Sequence, residues 1–385
     1  MIQKVFAQNF RSIKAMTLEL TGFDCFVGPN NSGKSNILDI FSFLADTATS
    51  GLNFAVDHRG PGLRHYSAPE GEPTIVEVSV AAPVESRFHH LEYTLGIDTE
   101  RLVVERENLN GFRQPGEVIT LLAQQTIEGK LSSVIMDKAG QRSMSGGMTK
   151  AALYEYSNGT SPVVDGSTAL AYLNRKFRAF RHYRLAPEKL KSIGPATRVA
   201  MLGEDGSGFA SYLHTIHSGH RAHFNRIEEQ LKKSFPSIDE LLTPLSEKFG
   251  GQTEVGIKEK WFRRSAAGRQ LSDGLVGFIA YLAILYGPEE PSLVAIEEPE
   301  NHIHPRLMER LVDMLRGASK DQQIMLSTHS VSLINRLKLE DLVLVERDES
   351  GGTTARRVSA KTELKAALKE WALGEAYASG ILDAE

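Results

Sequence analysis

The chain has 385 residues, with a hydrophobic content of 41%, a charged content of 24% and a formal net charge of −4. This composition allows two or three compact units with ample core and excludes an overall basic field, so nucleic-acid binding would need a local patch. The lone cysteine, Cys25, excludes an intramolecular disulfide. Because the most apolar run, Leu275–Tyr286, is too short to span a bilayer, we expect a cytoplasmic protein without membrane contact.

The start of the chain predicts strands that lead into a phosphate-binding loop. Residues 2–9 and 16–20 read as two strands, and Asp24–Val27 reads as a short buried strand. Gly28–Ser35 then fits G-x-x-x-x-G-K-[ST], and Asn36–Leu44 has helical apolar spacing. Two glycines let backbone N–H groups surround an anion, and the following helix N-terminus favours phosphate. A chance match has a probability of about one per cent, so we predict nucleotide binding.

The residue types in this loop predict individual roles. Lys34 is expected to reach the outer phosphates of ATP, and the Ser35 hydroxyl is expected to ligate the Mg²⁺ ion that bridges them. The neighbouring residues are expected to line the nucleotide: Asn30, Asn31, Ser32, Gly33 and Asn36.

The middle of the chain is less regular. Gly51–Pro73 contains glycine and proline without apolar periodicity and is predicted to be a loop. Alternating polarity predicts antiparallel strands of one lobe at Thr74–Val80, Leu91–Ile97 and Leu102–Glu105. The pattern is weak from about residue 109 to 165, and helical spacing dominates from Thr168 to Leu245. We therefore predict an N-terminal core segment (1–108), a mostly helical insertion (109–250) and a C-terminal core segment (251–385).

The C-terminal segment alternates helices and buried strands. An apolar helix is predicted over Leu275–Tyr286 and a second helix from about Pro305 to Arg316. Buried strands are predicted at Ser292–Ile296 and Gln323–Ser327. A strand–helix–strand order of this kind is typical of a parallel α/β sheet.

Polar residues follow both of these strands. Glu297 and Glu298 come directly after four apolar residues, and their side chains would point to opposite faces. Glu297 is predicted to support Mg²⁺, and Glu298 to orient and polarise the attacking water. His329, at the end of the next strand, is predicted to sense the γ-phosphate. Either carboxylate alone could be an acidic strand end, and a lone histidine there is more often a satisfied polar residue.

The order of these motifs resembles that of the SMC/RecF/OLD-like ATPases with ABC-type heads, including bacterial ATPases often labelled AAA-type. The likeness depends on the phosphate loop, Leu271–Gly274, Ile296–Pro305 and Ser327–Ser330. It implies an α/β ABC-type P-loop head with two lobes, a mixed sheet and a mostly helical inserted domain. It also implies that Ser272 and Gly274 belong to a signature motif that completes the ATP site of a second protomer, and that Asn301–Pro305 lies at the dimer interface.

The chain departs from the family pattern in two respects. Asp273 stands where transport-type heads usually have glycine, so we expect Asp273 to point away from the γ-phosphate. The chain has no glutamine between Gln8 and Gln114, so it offers no residue for the Q-loop glutamine of the family. Only 56 residues follow His329, too few for a fused nuclease of the OLD type. The resemblance therefore implies an effector, a nuclease or a toxin, on a separate chain.

Two basic segments leave the question of nucleic acid open. Arg175–Arg184 could contact phosphates, or it could be an amphipathic segment whose aromatic residues are core, which we prefer. Lys258–Arg269, with Trp261, is a second candidate of similar strength.

We predict a Mg²⁺-dependent ATPase that forms an ATP-gated homodimer and acts on DNA, or with a separate effector, in genome maintenance or phage defence. The alternative is a regulatory module that sequesters or activates a toxin or nuclease and never binds DNA. A transport-coupled ATPase is disfavoured by Asp273, the missing glutamine and the large insertion.

Overall fold

A computed structural model describes residues 1–64, 68, 71–84, 86–114, 117–127, 130–137, 140–144, 151–155, 165–245, 250–358 and 371–382. Within it the chain forms two compact units. Unit 1 comprises Met1–Phe180 and Glu340–Ser359, and unit 2 comprises Arg181–Leu339 and Ala360–Glu385.

The secondary structure mixes strands and helices throughout. The strands are β1 Ile2–Phe10, β2 Ile13–Glu19, β3 Phe23–Val27, β4 Thr74–Ala81, β5 His90–Asp98, β6 Val103–Gln114, β7 Glu117–Ile127, β8 Lys130–Asp137, β9 Gly140–Met144, β10 Phe180–Tyr183, β11 Gly194–Pro195, β12 Ile238–Leu242, β13 Gln252–Thr253, β14 Gly256–Glu259, β15 Ala266–Ala267, β16 Leu293–Glu297, β17 Gln323–Thr328, β18 Leu342–Arg347 and β19 Thr353–Arg357. The helices are α1 Lys34–Ser50, α2 Leu52–Asp57, α3 Ala152–Glu155, α4 Gly166–Arg178, α5 Pro187–Leu190, α6 Phe209–Gly219, α7 Arg221–Ser234, α8 Asp273–Tyr286, α9 Pro305–Ala318, α10 Val331–Ile334 and α11 Leu373–Ala378.

Unit 1 contains a large antiparallel sheet with the strand order β2-β1-β4-β5-β6-β7-β8-β9. Burial alternates residue by residue along β4, because one face of the sheet packs on the core and the other is partly solvated. The predicted antiparallel strands of this lobe are confirmed.

Two sequence predictions for unit 1 are wrong. The boundary at residue 109 falls inside β6, and β7, β8 and β9 continue the same sheet, so the described part of residues 109–144 is strand rather than helix. Among the described residues of the predicted insertion, the first helix is α3. Cross-strand pairing stabilises β8 and β9 although their sequences lack a strong apolar pattern. The predicted loop Gly51–Pro73 contains α2 and a short 3₁₀ helix, Gly60–Leu63.

The phosphate loop of unit 1 follows a second, smaller group of strands. β3 is buried along its whole length and pairs in parallel with β18, which pairs antiparallel with β19. The buried Asp24 carboxylate at the start of β3 accepts a hydrogen bond of 2.5 Å from Arg357 of β19. The hairpin of β18 and β19 lies beside the strand that leads into the phosphate loop.

Unit 2 carries the predicted strand–helix–strand arrangement. β16 and β17 pair in parallel, with Glu297 opposite Ser327 at their carboxyl ends. α8 is almost wholly apolar and buried along most of its length, whereas α9 buries one face only. Unit 2 also contains a small antiparallel sheet formed by β12, β14 and β15. In the part of the chain that the structure describes, no helix combines the length and apolar character needed to cross a membrane.

Candidate functional site

The phosphate loop lies between β3 and the N-terminus of α1. Gly33, directly before the helix, has a φ of 108°, and Asn31 also has a left-handed φ of 66°. A Cβ at Gly33 would collide with the Thr353 side chain, and a Cβ at Gly28 would collide with the Val345 carbonyl oxygen. Both glycines of the motif are therefore required by close approach of the β18–β19 hairpin, and Gly33 also by its φ.

A chain of hydrogen bonds holds this loop in shape. The Asn36 amide donates to the Ser12 hydroxyl (2.5 Å), which is paired with the Thr353 hydroxyl (2.7 Å). Thr353 in turn donates to the backbone carbonyl of Ser32 (2.9 Å). Ser12 comes from the β1–β2 connection and Thr353 from the start of β19, so distant parts of unit 1 fix the loop.

The loop fits a nucleotide phosphate chemically. The Lys34 ammonium is buried and donates to the carbonyls of Gly28 (2.7 Å) and Pro29 (2.8 Å), so it is held over the loop. The Ser32 hydroxyl is buried without a hydrogen-bond partner, and such a group costs stability unless something binds it. Asn30, Asn31 and Ser35 are exposed, and Asn36 is half-buried. The Arg347 side chain donates to the Asn31 carbonyl (2.9 Å).

The second predicted carboxylate, Glu298, lies in a tight cluster of unit 2. Its backbone has a left-handed φ of 46°, and its N–H donates to the Ser327 carbonyl at the end of β17 (2.8 Å). One carboxylate oxygen lies 3.3 Å from Nδ1 of His329, and the other accepts a hydrogen bond from the Asn301 amide (2.7 Å). The structure thus brings Glu298, His329 and Asn301 together.

Glu297, the first predicted carboxylate, contacts a histidine that the sequence did not single out. Nε2 of His182, on β10, lies 3.0 Å from the Glu297 carboxylate, and Nδ1 lies 3.3 Å from Glu204. The Glu297 side chain is only 10% exposed. The segment Phe180-Arg181-His182-Tyr183 has no alternation of apolar and polar residues that would have indicated a strand with an inward histidine.

A third carboxylate of the same segment is buried beside this cluster. Glu300 accepts a hydrogen bond from the Thr328 hydroxyl with one oxygen, and its other oxygen is buried without a partner. Burial raises the pKa of the Glu300 carboxyl above its ordinary value, although the Thr328 bond acts in the opposite direction.

The signature-like segment forms the N-terminus of α8. The Ser272 side chain caps the helix by accepting from the Leu275 N–H (3.3 Å). Gly274 is approached by the His302 carbonyl oxygen, which would lie 2.5 Å from an added Cβ. Asp273 forms an ion pair with Lys191, just after α5, and its carboxylate also lies 3.9 Å from His302. The hydrogen bond from Lys191 lowers the pKa of Asp273.

The first basic segment proves to be mainly structural. Phe177, Phe180 and Tyr183 are buried, and Arg181 forms an ion pair with Glu289 (2.9 Å). This arrangement favours the amphipathic interpretation of Arg175–Arg184 over phosphate contact.

Comparisons with known proteins agree with these motifs. Residues 1–115 match the family model described as "AAA ATPase domain", and residues 186–335 match the model described as "AAA domain, putative AbiEii toxin, Type IV TA system". Old nuclease of Escherichia phage P2 is 22% identical over 382 residues, which cover 94% of this chain and 62% of that protein. An uncharacterized protein of Methanocaldococcus jannaschii is 28% identical over 93 residues, 22% of this chain and 24% of that protein. The chain therefore spans less than two thirds of the length of these curated relatives.

Solved structures with a similar fold are heads of SMC proteins. An Smc head bound to the C-winged helix domain of ScpA matches 94% of this chain and 99% of its own, with a TM-score of 0.58 and 14% identity. An Smc head with an extended coiled coil, bound to the C-terminal domain of ScpA derived from Pyrococcus furiosus, matches 96% and 98%, with a TM-score of 0.53 and 13% identity. These likenesses establish the mixed α/β fold of an SMC head. Together with the family models and the Old relative, they make the chain similar to ATPase domains of the SMC/OLD-like, ABC-type class.

Proposed function

We propose that the chain is a Mg²⁺-dependent ATPase that works as an ATP-gated homodimer. The observation that carries this proposal is the cluster at Glu298. A catalytic carboxylate must be fixed where it can orient a water, and here His329 and Asn301 each contact one of its oxygens. The left-handed backbone at Glu298 is costly for a residue other than glycine, and strain of this kind is concentrated at functional sites.

The remaining predicted site residues have consistent roles in this proposal. Lys34 and the loop N–H groups bind the phosphates, exchanging the carbonyl partners of Lys34 for phosphate oxygens. Ser35 and Glu297 would hold Mg²⁺, which when bound neutralises charge on the phosphates. Glu298 accepts the proton of the attacking water, and His329 donates to the γ-phosphate. The exposed residues Asn30 and Asn31 line the nucleotide.

The dimer is proposed because the family resemblance assigns the N-terminus of α8 to the partner's ATP site, and this helix end suits a phosphate. Ser272 is exposed at the N-terminus of a 14-residue helix, where the first N–H groups and the helix dipole favour an anion. Ser272 and Gly274 would therefore contact ATP bound to the partner protomer. ATP closes the two heads in this scheme, and hydrolysis opens them.

We further propose that the dimer acts on DNA, together with an effector carried on a separate chain, in genome maintenance or phage defence. The similarity to Old nuclease and to a model described as a putative toxin-system domain supports this context. The alternative is a regulatory module that binds a toxin or nuclease but no DNA. DNA binding that weakens as salt rises would separate the two, because phosphate contacts depend on counterion release.

The first test of the proposed chemistry is Glu298→Gln. This variant keeps the size and one hydrogen-bond acceptor of the side chain but cannot accept the proton. We expect ATP binding to persist while turnover falls roughly 10²- to 10⁴-fold. Steady-state phosphate release and equilibrium binding of a fluorescent ATP analogue measure the two effects. Unchanged turnover would remove Glu298 from the reaction.

The same variant tests the partner proposal. Trapped with ATP and Mg²⁺, it should elute as a dimer in size-exclusion chromatography and should retain its effector and any nucleic acid in a pull-down. Elution as a monomer with saturating ATP would contradict the composite site, whatever the result of the turnover assay.

A further inference from the structure

The hairpin between β14 and β15 ends in an exposed tip that combines aromatic and basic side chains. We call Lys260–Ser265 the basic–aromatic tip. Trp261 is 76% exposed and its neighbour Phe262 is 60% exposed. Single exposed apolar residues are ordinary, but two adjacent large aromatic side chains at a turn form a surface that usually has a partner.

The cations of the tip are available for an anionic ligand. Lys260, Arg263 and Arg264 are exposed, and their side chains make no ion pair or hydrogen bond to other residues that the structure describes. By contrast, Lys232 and Lys233 of α7 are paired with glutamates one helical turn away. Lys258–Ser265 has four cations and one carboxylate, a net charge of +3 in a chain of net charge −4. The tip is thus a local basic patch.

The basic–aromatic tip connects two strands of a hydrogen-bonded sheet. β14 pairs with both β12 and β15, and Ile257 within it is buried. At the turn itself the Lys260 N–H donates to the Ser237 carbonyl (2.9 Å), and the Phe262 N–H donates to the Glu259 carbonyl (3.2 Å). Beside the tip lies an open cleft of about 570 Å³, lined by Glu259, Phe262–Ala266 and Gln270. Strand pairing and these backbone hydrogen bonds hold the hairpin, and the two exposed aromatic rings are not part of its core.

We propose that the basic–aromatic tip binds single-stranded nucleic acid. Aromatic faces can stack on bases that are not already stacked in a duplex, and neighbouring cations can neutralise the phosphates of the same strand. Double-stranded DNA offers such faces only at its ends. The inference rests on the DNA branch of the proposed function and names both the form of nucleic acid and the surface that holds it.

The position of the tip connects it to the ATP chemistry. β15 is followed at once by a short turn, in which Gln270 accepts from the Ala267 N–H (3.1 Å) and Gly268 has a φ of 54°. The next residue, Leu271, is buried, and Ser272 caps α8. A strand bound at the tip therefore lies only a few residues from the segment proposed to complete the partner's ATP site. We expect single-stranded nucleic acid to change the rate of ATP hydrolysis.

The test is fluorescence anisotropy with a labelled oligothymidylate of about 20 nucleotides, titrated with full-length protein in the presence of ATP. Loss of both rings in Trp261→Ala/Phe262→Ala should weaken binding at least roughly 30-fold, because losing one stacked base costs roughly 5- to 150-fold and the two losses multiply. Charge reversal in Arg263→Glu/Arg264→Glu should reduce the slope of log affinity against log salt by at least roughly 1.4, since each phosphate contact contributes roughly 0.7 for single strands. ATP hydrolysis without oligonucleotide should be unchanged in both variants.

Matched controls separate the tip from a general loss of charge or aromatic surface. Trp371→Ala removes another exposed tryptophan (45% exposed), and Lys320→Glu reverses an exposed cation elsewhere. Both should bind the oligonucleotide as the wild type does. Because the altered side chains are exposed, all variants should keep the wild-type melting temperature within about 2 °C.

The other outcomes are decisive as well. Wild-type affinity in both tip variants would overturn the inference while leaving DNA action intact, because binding would then lie elsewhere. A wild-type protein that binds phosphatidylserine vesicles but no oligonucleotide would overturn both the inference and the DNA branch. Basal ATP hydrolysis and ATP-dependent dimer formation, measured on the same samples, judge the proposed ATPase mechanism independently of either result.

Discussion

The ion pair between Lys191 and Asp273 gives a quantitative test of the composite site. Asp273 lies between the two residues proposed to contact the partner's phosphates, and Lys191 is bound to it. In the proposed dimer Lys191 both compensates the Asp273 carboxylate and holds it away from the phosphates, so Lys191→Ala leaves that carboxylate uncompensated and free to approach them. At about 5 Å, an uncompensated carboxylate opposes one phosphate charge by about 0.8 kcal/mol in water and about 3 kcal/mol at an effective dielectric constant of 20.

The lower end of this range applies because the Asp273 side chain is 47% exposed. We therefore expect Lys191→Ala to weaken ATP-dependent dimerisation by about 1.6 kcal/mol, which is about 0.8 kcal/mol at each of the two composite sites and roughly 15-fold in affinity. Asp273→Ala should have no such effect, and it should abolish the effect of Lys191→Ala in the double variant. Sedimentation equilibrium in a Glu298→Gln background, with ATP and Mg²⁺, measures the dimer without turnover.

Two results would refute this reasoning. Lys191→Ala could dimerise as well as the parent protein, which would mean that the Asp273 carboxylate, once released from Lys191, does not approach the partner's phosphates. The loss could also persist unchanged in the double variant, which would mean that Lys191 acts through another group. The folded state itself should be nearly unaffected, because exposed ion pairs contribute only about 0.2–1 kcal/mol to stability.

Two further predictions concern stability. Gly28→Ala should lower the free energy of unfolding by about 1–3 kcal/mol in chemical denaturation, because the added Cβ would collide with the Val345 carbonyl. The control Gly317→Ala lies in an open position on α9 and should raise the free energy of unfolding by about 0.5–1 kcal/mol. Equal effects of the two substitutions would contradict the close approach at Gly28. Because burial raises the pKa of Glu300 above 4.5, its contribution to stability is full below pH 4.5 and is lost as the pH rises through the folded-state pKa. Glu300→Gln can still accept a hydrogen bond from Thr328 but carries no charge. It should therefore melt at a higher temperature than the wild type at pH 8 and at the same temperature below pH 4.5. A melting-temperature difference that stays constant across this pH range would contradict the raised pKa of Glu300.

The sequence was sufficient to predict those elements whose structure depends on residues close together in the chain. The phosphate loop, the buried strands before it and before Glu297, and the helix that Ser272 caps all follow from local patterns, and the structure has them within a residue or two. Glu298 and His329 were predicted separately at the ends of two strands, and parallel pairing of those strands brings them together.

The errors have a common physical cause, which is that long-range pairing overrides local pattern. β8 and β9 carry many polar residues, and only their partners in the sheet make them strands. His182 lies about 115 residues before Glu297 in the sequence, so no spacing rule could pair them. The same is true of Lys191 and Asp273, whose ion pair depends on how α5 and α8 meet.

The hydrogen bond from Thr353 to Ser32 has a consequence for the biosynthesis of the protein. Its two residues are 321 positions apart, yet Thr353 also fills the space that a side chain at Gly33 would occupy. A nascent chain exposes the phosphate loop long before the hairpin that shapes it has been translated. The loop therefore reaches the shape described above only after Thr353 has been translated, which is later than every other motif of the site.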